Sequence, residues 1–157
     1  MNTNQSKKRK PIVVAVSGGF DPLHIGHVRM FEKAKKLGDQ LVVILNNDNW
    51  LKKKKGWEFM PEKQRKEIIE ALRCVDRVVI TSHPKNPTDM SVTRELRKIK
   101  PDIFANGGDR KKGNVPEAVV CEQIGCKMVY GIGPGGKIQS SSWLLSKYVE
   151  QATKKRT

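Results

Sequence analysis

Gly18-Gly19-Phe20-Asp21-Pro22-Leu23-His24-Ile25-Gly26-His27 lies between two stretches that predict different backbone geometry. Before it, Ile12–Val16 is a short apolar run, mostly β-branched, which reads as a buried strand. After it, apolar residues fall at Val28, Phe31, Ala34 and Leu37, one stripe of a helix. The chain thus passes from strand to helix through a glycine turn, with His24 and His27 at the helix mouth. Glycine lets backbone N–H groups approach a ligand closely, and a helix N-terminus attracts anions. Two imidazoles in that place can donate hydrogen bonds to phosphate oxygens, or share charge that develops on them. A lone histidine in a turn is more often a surface or core residue. Two of them, framed by paired glycines and Phe-Asp-Pro, point to a site for a phosphate ester. No G-x-G-x-x-G is present, so this is not the dinucleotide fingerprint.

Working outward, strand-like runs recur at Leu41–Leu45, Arg77–Thr81, Asp102–Ala105 and Lys127–Ile132. Helical patterns fall near Gly26–Leu37, Pro61–Cys74, Ser91–Ile99, Pro116–Ile124 and Ser142–Ala152. Strand–helix alternation at this spacing predicts an α/β domain with a five-stranded parallel sheet covered on both faces, a three-layer α/β/α arrangement. Leu144, Leu145, Tyr148, Val149 and Ala152 predict a packing stripe on the last helix. Ligands of such sheets gather beyond the carboxyl ends of the strands, where the histidine turn lies.

A length of 157 residues fits one domain, expected over residues 11–152 between basic tails at 1–10 and 153–157. The apolar runs are too short to span a membrane, and the first ten residues lack a signal-peptide core, so a cytoplasmic protein is expected. Cys74, Cys121 and Cys126 have no C-x-x-C spacing, which predicts reduced thiols rather than zinc or disulfides. Of the net charge of +15, terminal clusters at Lys7–Lys10 and Lys154–Arg156 account for seven, leaving +8 on the domain. That excess favours an anionic ligand, either a nucleoside triphosphate or nucleic acid. Only 6% of residues are aromatic and none interleave with the basic runs, so no nucleic-acid stacking platform is predicted. Nonspecific charge attraction is what remains of that alternative.

Three further segments could line the same crevice. Asn106-Gly107-Gly108-Asp109-Arg110 follows the fourth strand, and Asp109 could accept from an amino or hydroxyl group; the alternative is an ordinary glycine turn. Gln139-Ser140-Ser141-Ser142 opens the last helix, where hydroxyls and N–H groups suit phosphate oxygens or simply cap the helix. Lys52-Lys53-Lys54-Lys55 lies in a long connection between Leu45 and Pro61. Four lysines are usually solvated, but Lys55 and then Lys52 are the candidates to close over a triphosphate.

The turn at Gly19, Phe20, Asp21, His24, Gly26 and His27 resembles the His-x-Gly-His signature of the nucleotidyltransferase superfamily, which includes glycerol-3-phosphate cytidylyltransferase and the heptose-phosphate adenylyltransferases. The resemblance continues more weakly to about Tyr148. It implies a Rossmann-like nucleotidyltransferase fold in which His24, His27 and Lys55 serve catalysis. Gly18, Gly19, Phe20, Gly26, Lys52, Arg65, Gly108, Asp109, Ser140, Ser141 and Ser142 would bind the nucleotide. Arg73 and Asp76 resemble a family segment at a dimer contact or near the phosphates, which implies a homodimer. Gln139 stands where the family has isoleucine, and an arginine shortly before it is absent, its charge left to Lys137. The implied reaction transfers CMP from CTP to a small phosphate or phosphonate and releases pyrophosphate. Magnesium would accompany the triphosphate, and Asp21 is read as a turn or capping residue rather than a metal ligand. Adenylyl transfer from ATP to a sugar phosphate is the alternative.

Overall fold

The computed structural model describes residues 8–107, 116–133 and 139–155. Five parallel strands, β1 (Val13–Gly18), β2 (Gln40–Leu45), β3 (Arg77–Ile80), β4 (Ile103–Gly107) and β5 (Lys127–Ile132), form one sheet in the order β3-β2-β1-β4-β5. The described helices are α1 (Ile25–Lys35), α2 (Asp48–Lys55), α3 (Glu62–Glu70), α4 (Thr93–Ile99), α5 (Pro116–Ile124) and α6 (Ser141–Lys154).

Alternate residues of the strands feed two cores. Val14, Val16, Leu41, Val43 and Leu45 pack with Phe31 and Ala34 of α1 and Ile69 of α3. Ala15, Ile44 and Phe104 pack on the other face with Leu96 of α4 and Val120 and Cys121 of α5. This is the three-layer Rossmann-like fold expected from the strand–helix alternation. Strand order reverses between β1 and β4, which places the topological switch point beside the histidine turn.

The amino ends of the strands share a device that the hydrophobic pattern does not show. Asp39, Asp76 and Asp102 each stand one residue before a strand, and each takes a backbone N–H at or just before the start of a neighbouring one. Asp39 accepts from Ile12 at 2.7 Å, Asp76 from Leu41 at 2.7 Å and Asp102 from Val13 at 2.8 Å. Each carboxylate thereby satisfies a donor that the parallel ladder leaves open at its edge. The Ile12 N–H and the Arg9 guanidinium hold the Asp39 carboxyl below its ordinary range. Partial burial pushes Asp76 up, but hydrogen bonds from Lys35 and Leu41 outweigh it, and its carboxyl too lies below the usual range.

Several boundaries differ from the sequence reading. β1 runs on to Gly18, pairing with Leu45 of β2, instead of ending at Val16. The helix expected to reach Cys74 ends at Glu70, and Leu72–Val75 forms a hydrogen-bonded turn. The four lysines, read as part of a connection, lie in α2: Asn47 caps it by accepting from Trp50 N at 3.0 Å, and Leu51 anchors it in the core. Straight-chain lysines favour a helix once it is capped and anchored. Arg9 pairs with Asp39 at 3.0 Å, and α6 takes in Thr153 and Lys154, so ordered structure reaches into both expected tails. The α6 stripe does not pack as expected: Tyr148 is 72% exposed and Val149 is 59% exposed. The three cysteines are free, and burial raises the Cys126 thiol to about 12. Among the described residues no helix is long and apolar enough to cross a membrane.

Candidate active site

The turn after β1 is held by exclusion as much as by bonding. Phe20 adopts φ of +49°, a left-handed conformation uncommon for a bulky residue, and its ring is buried beneath the turn. A Cβ on Gly18 would lie 2.8 Å from that ring, so only glycine leaves it room. Phe20 meets Phe31 and His27 edge-on, with centroids 4.9 and 5.0 Å apart, and so supports the second histidine from below.

His24 is the N-cap of α1, with extended backbone. Its Nδ1 accepts from Gly26 N at 3.0 Å, and His27 Nδ1 accepts from His24 N at 3.2 Å. This is a capping box built from imidazoles instead of serine and glutamate. An Nδ1 that accepts carries no proton, so each neutral ring keeps its proton on Nε2. The two rings stack with centroids 3.7 Å apart and 25° between planes. Burial, then the neighbouring His24 and the Lys55 ammonium, push the His27 pKa down to about 3. His27 is therefore a neutral Nε2–H donor at pH 7.

Lys55 stands beside this pair, its Nζ 3.3 Å from Asp21 O. α2 thus projects its last lysine to the turn, and Lys52, an exposed residue, pairs with Glu58 at 3.8 Å. Asp21 is 2% exposed and accepts from Phe59 N and from Met60 N at 2.8 Å. It fixes the loop after α2 against the turn, and it caps no described helix. Ser141 Oγ donates to Pro22 O at 2.8 Å, which brings the start of α6 to the same turn. Ser140 is the buried N-cap of α6 without a side-chain cap bond, and Ser142 is exposed in its first turn.

Three expected contacts need correction. Gly26, expected to bind the nucleotide, has its N–H engaged by His24 Nδ1, which leaves no backbone donor for that role. Arg65, also assigned to the nucleotide, is 1% exposed and faces inward. Its guanidinium donates to Gly19 O and Asn46 O at 2.8 and 2.7 Å, to Met60 O at 2.8 Å and to Asp48 Oδ1 at 2.7 Å. It positions the turn from behind. Arg73 and Asp76 lie where β3 begins, at the amino edge of the sheet, so the phosphate alternative for them falls with their position. Gly108, Asp109 and Lys137 lie outside the described residues.

Sequence reading missed Asn46, Asn47 and Asp48, a polar triplet directly after β2. Its position at a strand's carboxyl end was the available signal. Asn47 caps α2, Asp48 pairs with Arg65, and Asn46 is 4% exposed beside the turn. The third histidine, His83, is structural: its ring nitrogens meet Thr81 Oγ1 at 2.8 Å and Ser91 O at 2.9 Å.

Residues 15–126 match the family model described as cytidylyltransferase-like. The FAD synthase of Pyrococcus abyssi is 42% identical over 100 residues, which cover 63% of this chain and 64% of that protein. The bifunctional protein HldE of Streptomyces coelicolor is 34% identical over 142 residues, covering 89% of this chain and 29% of that one. Among solved structures, the lipopolysaccharide core biosynthesis protein of Thermoplasma volcanium superposes with a TM-score of 0.65 at 28% identity, covering 80% of this chain and 99% of the other. With the family match spanning most of the sheet and the histidine pair seated at its switch point, the chain belongs to the cytidylyltransferase-like family of the nucleotidyltransferase superfamily.

Proposed function

We propose that this chain transfers AMP from ATP to a small phosphate ester or phosphonate, releasing pyrophosphate. The observation that carries the reading is the histidine capping box: it fixes two Nε2–H donors at a helix mouth beside a lysine. An acceptor phosphate oxygen attacks the α-phosphorus in line. The new P–O–P bond forms as the bond from the α-phosphorus to the bridging oxygen breaks, and that oxygen leaves with pyrophosphate. The attacking group is already an anion at neutral pH, so no protein nucleophile or base is needed. Catalysis rests on positioning and on donors aimed at charge that shifts among phosphate oxygens. His24 and His27 supply the donors, and Lys55 lowers the repulsion between two anionic reactants. The N–H groups of Gly19 and Phe20 and the start of α6 with Ser140–Ser142 complete the cradle.

Magnesium belongs with the triphosphate, whose oxygens are its natural ligands. The carboxylate within the turn, Asp21, has both oxygens engaged by backbone N–H groups.

Adenosine is preferred because the similar proteins include FAD synthases, and FAD contains an adenylyl unit. The motif resemblance and compact length favour CTP, so that nucleotide is the competing outcome. Pairing of two chains is part of the proposal. The exposed Arg73 suits a contact between chains, whereas Asp76 is tied to Lys35 and Leu41 of its own. The deciding measurement is pyrophosphate release with ATP and CTP against FMN, glycerol 3-phosphate and mannose 1-phosphate. ATP-dependent release is expected. Release with CTP alone replaces the nucleotide, and release with no pair overturns the reading.

A further inference from the structure

Asn46 directly follows β2 and lies against the phosphate turn. Its N–H donates to Gly18 O at 2.9 Å, and its carbonyl accepts from Arg65 at 2.7 Å. Main-chain bonds thus lock the residue in place, and it is 4% exposed. Its side-chain Oδ1 is buried with no hydrogen-bond partner, the one such side-chain atom among the described residues. An unpaired buried acceptor destabilises a ligand-free fold, and it becomes a source of selectivity when a ligand brings the missing donor.

Strand order indicates which reactant that is. The crossover lies between β1 and β4, where a nucleotide is expected. In-line displacement puts the attacking oxygen opposite the departing pyrophosphate. The β2 side of β1 is therefore left to the acceptor, and Asn46 stands on that side. We propose that Asn46 Oδ1 accepts a hydrogen bond from a hydroxyl or N–H of the acceptor molecule and so selects among acceptors. A fully ionised phosphate has no proton to donate and would be repelled by this oxygen. Asn46 therefore reads the part of the acceptor that is not phosphate. The assignment rests on the nucleotidyl-transfer reading above.

Asn46→Leu keeps a branched side chain without hydrogen-bonding atoms, and Asn46→Ser keeps an oxygen. Two quantities separate the possibilities: the melting temperature of the ligand-free protein, and KM measured separately for nucleotide and acceptor. FMN and mannose 1-phosphate serve as acceptors. Asn46→Leu is expected to melt at or above the wild-type temperature while the acceptor KM rises tenfold or more and the nucleotide KM holds. Asn46→Ser should fall between them. A lower melting temperature with unchanged acceptor kinetics makes Asn46 structural and overturns the assignment. A rise in nucleotide KM alone moves the contact to the other substrate and overturns it equally. If the leucine variant does not fold, the serine variant carries both comparisons. A wild-type protein inactive with every nucleotide–acceptor pair overturns the functional reading and this assignment together, whereas an active wild type matched by its variants overturns this assignment alone.

Discussion

His24 and His27 hold the first turn of α1 with the same rings that carry the donor protons. Each Nδ1 accepts a backbone N–H, and each Nε2 is left with the hydrogen. Replacing either by alanine removes a donor to a developing oxyanion and half of a capping box at once. Donors of this kind are worth about 3–4 kcal/mol, so turnover in each variant should fall roughly 100-fold or more. Loss of the cap should cost about 1 kcal/mol in addition. Pyrophosphate release and urea unfolding measure the two effects separately, and near-normal turnover in both variants would remove the proposed chemistry. The depressed pKa of His27 has its own signature. The unfolded chain protonates this residue near 6.5, while the folded one resists until about 3. The unfolded state therefore binds more protons in that window. Stability from His27 is complete above pH 6.5, declines as pH falls, and levels off near pH 3. Between pH 6.5 and about 5, above the range in which carboxylates titrate, His27→Asn should flatten the fall of melting temperature. An unchanged slope would count against a neutral, half-buried ring.

At the scale of elements, Arg65 of α3 joins three segments that are distant in sequence: the turn at Gly19, the end of β2 at Asn46, and the start of α2 at Asp48. Arg65→Met fills similar space but strands one carboxylate and three carbonyls. Breaking a buried pair from one side costs about 3–5 kcal/mol, and chemical denaturation should show a loss of that order. A loss below about 1 kcal/mol would mean that the turn stands without it. This arginine also shows where sequence reading stops. The strands, their parallel pairing and the histidine turn were legible because apolar spacing and glycine chemistry act locally. Arg65 was not, since its partners are carbonyls, which every residue has, and only the fold brings them together. α2 was hidden for another reason: Lys52–Lys55 read as a solvated run, while the features that make it helical, the Asn47 cap and the Leu51 anchor, flank it singly. The aspartates before β2, β3 and β4 were in plain view, but an aspartate between helix and strand ordinarily signals only a turn.

For the whole molecule, the charge is divided between a basic domain and more basic ends. Arg9 is the one residue before Pro11 with a described ion pair, to Asp39 at the amino edge of the sheet. A chain spanning Pro11–Ala152 should keep its turnover at saturating substrate and melt slightly lower, because charges beyond about 8 Å from a site are largely screened at physiological salt. It should also lose most of its nonspecific affinity for DNA, with a shallower dependence of binding on salt. Loss of turnover on truncation would show that an end reaches the crevice.

The parallel sheet gives the protein a polarity. β1 enters at the amino edge, among the aspartate staples, and leaves at the histidine turn, about 20 Å away for a six-residue strand. An attachment made at the amino edge itself, where Arg9 meets Asp39, would leave the histidine turn on the far side of the sheet. Strand direction thus separates an edge open to attachment from the edge that carries the histidines.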